Sequence, residues 1–346
     1  MTARTVNLAL CLAMSVLGAA SVGPARAEAR LGERQDGIDD VSRLRQQGEQ
    51  GNAEAQFELG FLYFSGNKVV QNFAEAVKWW QKAADQGVAQ AQLDLGVMYQ
   101  NGIGVARDEV QAIRWYRQAA EQGDERAQLS LGDAYKKGAG VQRDDAQAFE
   151  WFRKAAEQGE ATAQYNLGDL FQDGVGVARD SEQAVLWWRR AAEQGNAQAQ
   201  NALGKALHDG EGIARDYGEA IQWYRKAADQ GHPTAQSNLG FMYQNGQGVA
   251  QDFGRAVRWW QMAAEQDNTT SQYNLSVAYH NGQGVMRDDV ESYKWAHIAM
   301  AHSSGESHER YAHMLNDIAG RMTPTQVADA QQRAREWLAV FDRRQK

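Results

Sequence analysis

Apolar and polar residues follow one another along this chain in blocks that repeat with a fixed phase. In one block Ala91, Leu95, Met98 and Tyr99 recur at spacings of 4, 3 and 1, which places them on one face of a helix. The segment that carries them is about 13 residues long, roughly 20 Å of helix. Gly102-Ile103-Gly104-Val105 then breaks the pattern, because paired glycines supply backbone angles that other residues reach only with strain. A second helix opens at Asp108, whose carboxylate accepts from the first orphan amides, while Gln111 stands where a capping-box side chain reaches back to the cap. It runs through Trp115-Tyr116 and Ala119-Ala120 to a glycine stop at Gly123. The predicted unit is a pair of helices, A and B, joined by a turn.

The unit recurs every 36 residues: Gly60, Gly96, Gly132, Gly168, Gly204 and Gly240 share one phase, with Ser276 in the seventh place. An aromatic pair keeps the same register in helix B, from Trp79-Trp80 to Trp259-Trp260, and ends in a worn copy, Trp295-Ala296. The capping box recurs as well and fails only at Asp252/Arg255. A fixed period of this size marks stacked supersecondary units, so length counts repeats here and not globular domains. The small residues on helix A and the alanine pair on helix B lower side-chain volume, letting neighbouring helices approach while the aromatics fill the space beside them.

The pattern A-x-Q-x-x-L-G-x-x-Y, then G-x-G-V, then D-x-x-x-A-x-x-W-[WYF]-x-x-A-A and a closing glycine resembles the Sel1-like repeat, a relative of the tetratricopeptide repeat. The resemblance covers residues 52 to about 300. It implies an all-α fold, a right-handed α-solenoid of helix-turn-helix units with period 36, seven full repeats and degenerate capping helices. It also implies that helix A lines a concave wall. The expected organisation is a signal peptide at 1–27, an N-terminal capping helix at 28–51, the repeats at 52–303 and C-terminal capping helices at 304–346. At the first end, Asp36 takes a cap position and Ile38, Val41 and Leu44 form a stripe. At the other, Tyr311, Leu315, Ile318 and Met322 predict an eighth A-like helix, and Thr323-Pro324-Thr325-Gln326 supplies a cap, a proline at the first helical position and a capping-box glutamine. Val327, Ala334, Leu338 and Phe341 mark the inner side of the last helix.

Residues 1–27 read as an export signal, with Arg4 before an apolar run from Val6 to Ala20 and Ala25-Arg26-Ala27 as a small-x-small cleavage site. The mature chain is expected to begin at Glu28 and to reside in a periplasm or outside the cell, without stable membrane insertion. Cys11, the sole cysteine, lies inside the signal, which leaves no disulfide framework and no thiol nucleophile. Cleavage removes Arg4 and Arg26 and no acid, leaving 34 basic against 44 acidic side chains. A formal charge of −10 argues against nucleic acid or anionic lipid as partner.

Candidate chemistry is sparse. Ten of the eleven tryptophans occupy the helix-B aromatic positions, and a spacing that tracks the packing period places them in the core, not on a sugar- or base-binding path. Ser65-Gly66-Asn67-Lys68 matches the S-x-x-K string of penicillin-recognising enzymes, and some cysteine-rich relatives of the family act on β-lactams. Ser65, however, falls in register with Asn101, Lys137 and Asp173, and neither companion motif occurs. His308 and His313 are spaced by five, one residue too far for the zinc motif H-E-x-x-H. The G-x-G turns lack the third glycine of a dinucleotide fingerprint. No cofactor, metal or catalytic residue is assigned.

What varies from copy to copy is one stripe on helix A, at 4, 3 and 4 spacing. Phe61, Asp94, Asp133, Asn166, Asp169, Lys205, Asn238, Phe241 and Asn274 belong to it. Apolar anchors among amides and acids are the mixture that binding surfaces use, whereas a solvated face drifting freely gives the same variation. The expected function is therefore a non-enzymatic exported scaffold that binds a protein or an extended peptide. The alternatives are a β-lactam or cell-wall hydrolase and a peptidoglycan- or carbohydrate-binding module.

Overall fold

A computed structural model describes residues 40–345. The expected export signal and its cleavage site, and with them Asp36 and Ile38, lie outside the described residues. Among those described there are seventeen helices and no strand. The first, α1, spans 40–49. The A helices are α2 (Ala53–Ser65), α4 (Ala89–Asn101), α6 (Glu125–Lys137), α8 (Ala161–Asp173), α10 (Ala197–Asp209), α12 (Pro233–Asn245) and α14 (Thr269–Asn281). The B helices are α3 (Phe73–Asp85), α5 (Glu109–Glu121), α7 (Asp145–Glu157), α9 (Ser181–Glu193), α11 (Tyr217–Asp229), α13 (Phe253–Ala264) and α15 (Asp289–Ala301). Two further helices, α16 (Gly305–Ala319) and α17 (Pro324–Gln345), close the chain. The helices fall into two compact units, a first running to Ala163 and including Val175–Ala178, and a second made of Gln164–Gly174 and Arg179–Lys346.

Within each hairpin the fixed glycine and the second aromatic residue occupy one another's space. A Cβ on Gly60, Gly96, Gly132, Gly168, Gly204 or Gly240 would come within 3.0 Å of Trp80, Tyr116, Phe152, Trp188, Tyr224 or Trp260 respectively. The seventh repeat breaks both halves together. Ser276 stands for the glycine, Ala296 for the aromatic, and the Ser276 hydroxyl lies 3.1 Å from that of Ser292 in the space released. The first aromatics sit nearer the rim: Trp79, Trp115, Trp223 and Trp295 are buried, whereas Trp151, Trp187 and Trp259 are half-buried. A cation three residues on covers several of their faces, as Lys226 does Trp223 at 3.8 Å and Lys154 does Trp151 at 4.1 Å.

The helix-B caps correct one expectation. Asn72, Asp108, Asp144, Asp180, Asp216, Asp252 and Asp288 each accept from the amide three residues on, at 2.8–3.1 Å. The reciprocal arm of the box is absent from all of them, because the cap's own amide donates to the preceding A helix: Asp108 to the Tyr99 carbonyl, Asp180 to that of Phe171 and Asp252 to that of Tyr243, at 2.8–2.9 Å. The Gln or Glu side chain therefore has no donor to satisfy, and Arg255 is tolerated at that place. At α17, where no A helix precedes the cap in this way, both arms form, Thr323 N to Gln326 Oε1 at 2.9 Å and Gln326 N to Thr323 Oγ1 at 3.3 Å.

Within each unit a buried polar line joins successive repeats. The motif glutamines Gln56, Gln92, Gln128, Gln164, Gln200, Gln236 and Gln272 are at most 5% exposed. Gln128 donates to the Ala120 carbonyl at 3.1 Å and accepts from Gln158 at 2.8 Å; Gln200 does the same with Ala192 and Gln230. These links offset the cost of burying an amide. Gln56 likewise donates to the Gly48 carbonyl at 2.7 Å, so α1 serves as a B helix for the first repeat. At the other end Tyr311, Leu315 and Ile318 of α16 are buried as their spacing predicts, Met322 packs beside them, and Ala330 and Ala334 form the inner side of α17 with Val327 and Leu338 packed on the core.

Candidate functional site

Every member of the varying stripe named from the sequence is exposed or half-buried on its A helix. In the first unit Phe61 is 44% exposed and borders a groove of about 500 Å³ with Val41, Leu44, Phe57 and Leu62, between α1 and α2. Asp94 is drawn inward. Gln90 Nε2 donates to its carboxylate at 3.0 Å, and Arg126 bonds the Gln90 carboxamide. Burial pushes the Asp94 carboxyl up to about 6, against the pull of the Gln90 hydrogen bond and the Arg126 charge. Asp133 pairs with Lys137 at 3.4 Å and lines a smaller groove, about 140 Å³, with Tyr116 and Ser130.

In the second unit Asn166 is half-buried and Asp169 accepts the Trp188 indole N–H at 3.0 Å, so that carboxylate anchors the hairpin core. Lys205, Asn238 and Phe241 converge on one groove of about 270 Å³ between α10, α11 and α12. Phe241 is 45% exposed. Asn238 Nδ2 donates to Asn201 Oδ1 at 3.1 Å, and Lys205 Nζ donates to Asp209 at 2.9 Å. Asn274 is half-buried on α14 and does not line this groove. Sequence reasoning missed other residues of the groove, among them Asn201, His208 and Tyr224. A signal existed for the last two, because Tyr224 shares the second aromatic position only with Tyr116 among tyrosines, and His208 falls in the phase of Gln100.

The remaining candidates dissolve into local structure. Ser65 Oγ donates to the Leu62 carbonyl and accepts from Asn67 N at the end of α2, while Lys68 pairs with Asp40 at 3.5 Å. The S-x-x-K string is thus a helix-end turn. His302 bonds Asp267, and His308 Nδ1 lies 3.2 Å from the Met300 carbonyl. Among the described residues no three of His, Cys, Asp and Glu come together as a metal site, and no helix is long and apolar enough to cross a membrane. The second glycine of each G-x-G turn, such as Gly140, lies against the start of the previous B helix, here the Glu109 carbonyl.

Comparison with known proteins agrees with this architecture. The Sel1 repeat model matches seven consecutive segments, 53–88, 89–124, 125–160, 161–196, 197–232, 233–268 and 269–302. A solved Sel1 repeat protein from Oxalobacter formigenes is 33% identical, with a TM-score of 0.56 over 66% of this chain and 96% of that one. The c5321 protective antigen of uropathogenic Escherichia coli, described as displaying an SLR fold, is 27% identical, with a TM-score of 0.50 over 91% of this chain and 93% of that one. The secretory immunoglobulin A-binding protein EsiB of Escherichia coli O6:H1 is 40% identical over 43 residues, a match spanning 12% of this chain and 9% of EsiB. The chain belongs to the Sel1 repeat family, and its fold is an all-α solenoid.

Proposed function

We propose that this protein is an exported, non-enzymatic scaffold whose A-helix stripes hold a protein or an extended peptide. The observation that carries the reading is the pair Phe61 and Phe241, large apolar side chains 44% and 45% exposed on faces otherwise made of amides and acids. Each stands beside a groove, and exposed aromatic anchors with polar neighbours are where interfaces concentrate their binding energy. A wall of packed helices is already ordered, so little side-chain or loop freedom is lost when it binds. EsiB, by its name, binds an immunoglobulin, which supports a protein as the partner class.

Crosslinking in intact cells with the full chain, followed by recovery and mass spectrometry, tests the reading. Phe241→Ala and Asn238→Ala are expected to lower retention of the recovered partner at least severalfold with the helical content unchanged. Retention unaltered in both, with an intact fold, removes the stripe. Export is tested separately. The mature chain is expected to begin at Glu28 and to fractionate with the periplasm or medium, and deletion of residues 2–27 is expected to keep it in the cytoplasm.

A further inference from the structure

The second aromatic of each hairpin carries a polar tip in five of the seven repeats, and four of those tips are satisfied within the protein. Trp80 donates to the Phe57 carbonyl at 3.2 Å, Trp188 to Asp169 at 3.0 Å, Trp260 to the Ser237 carbonyl at 3.3 Å, and Tyr116 to Gln100 Oε1 at 2.7 Å. Tyr224 is the exception. Its ring is locked over Gly204 and the residue is 3% exposed, yet its hydroxyl has no hydrogen-bond partner among the described residues. The reason lies 16 residues back. Where Tyr116 finds Gln100, Tyr224 faces His208, and both ring nitrogens of His208 are engaged elsewhere, Nδ1 with Asp209 at 2.7 Å and Nε2 with Gln247 at 3.2 Å. The phenol therefore lines the 270 Å³ groove with an unused donor, beside Asn201, Thr234, Asn238 and Phe241.

We propose that this groove is a subsite for a carboxamide side chain, Gln or Asn, of an extended peptide, with the Tyr224 hydroxyl donating to the amide carbonyl and Phe241 packing on the side-chain stem. The inference rests on the stripe reading above. A carbonyl is favoured because burial, and then the nearby Asp209 charge, hold the phenol protonated well above its ordinary range, leaving it a donor at neutral pH. A carboxamide is favoured over a carboxylate because Asp209 stands beside Lys205 and cancels it, at 2.9 Å, so the groove offers no free cation to an acidic guest. The amide's N–H₂ finds acceptors in the side chains of Asn238 and Thr234, and a groove of this size holds one such side chain and not a folded surface.

The test uses the mature full chain immobilised against a positional-scanning library of extended nine-residue peptides, one fixed residue at each position. The expected result is enrichment of Gln or Asn at a single position, reduced about tenfold by Tyr224→Phe, which keeps the ring over Gly204 and the fold. Peptides bearing a hydrophobe at a neighbouring position should still be retained by Tyr224→Phe and lost with Phe241→Ala. Enrichment of Glu or Asp at that position, or an amide preference identical in Tyr224→Phe, overturns the subsite while leaving the stripe standing. No retention of any pool, or retention indifferent to Phe241→Ala and Asn238→Ala, overturns the stripe and the subsite together.

Discussion

A methyl group added at Gly240 would collide with the indole of Trp260, so Gly240→Ala is expected to lower stability by about 1–3 kcal/mol through overpacking. Trp260→Ala is expected to cost about 3–5 kcal/mol through the cavity it leaves. Because the two side chains compete for one volume, the double variant should cost clearly less than the sum, and urea midpoints of the four proteins measure the coupling. Gln200→Leu should cost about 1–3 kcal/mol by removing two buried hydrogen bonds, that to the Ala192 carbonyl and that from Gln230. Asp94 supplies a pH signature. Its folded pKa of about 6 lies above that of an unfolded carboxylate, so the native state holds its proton longer, and stability falls as pH rises from about 4 to 6. Asp94→Asn should flatten that fall, seen in urea midpoints taken across the range. At this scale the glycine phase was legible in the sequence and the glutamine line was not. A repeated small residue declares tight packing by its lack of volume, whereas a repeated Gln is equally at home on a solvated face until its partner 30 residues away is known.

Among elements, the B helices show how a cap depends on what precedes it. Asp180→Ala removes the bond from the Gln183 amide and should cost about 0.5–2 kcal/mol. Gln183→Ala should cost close to nothing, because its side chain makes no reciprocal bond, while Gln326→Ala at α17 should be felt, since there the reverse arm is made. Thermal unfolding of the three variants decides it. The spacing of Asp and Gln marked the helix starts correctly. It overstated the capping box, since the competing acceptor, a carbonyl nine residues earlier on helix A, belongs to the hairpin's tertiary geometry. The turns carry a related lesson at Lys68, which adopts the same left-handed backbone as the second glycines, φ +61°. That conformation alone therefore does not demand glycine. The later copies need it because the preceding B helix presses against them.

For the molecule as a whole, the order and period of the repeats were written in the sequence, while the grooves were not. A groove depends on which side chains of a hairpin fail to meet, as His208 fails Tyr224 when Gln247 of the next repeat engages its ring, and that is a property of pairs of copies. The end helices make a further expectation. Removing residues 324–346 uncovers Ile298 and Trp295, which pack against the α17 side of the core. Hydrogen exchange should then accelerate first in α14 and α15 and much less in α10 and α11, because repeats support only their neighbours. A uniform loss of protection would contradict that locality. The glutamine joints add a consequence for the history of such a chain. Each interior joint presents the same donor and acceptor to whatever repeat comes next, so a 36-residue duplication or excision, begun at any phase within either unit, rejoins matching faces. The last joint is different, with Ser276, Ala296 and, in the glutamine's place, His302. Growth by copying is therefore open in the interior and closed at the seventh repeat, which is fitted on its far side to the terminal helices.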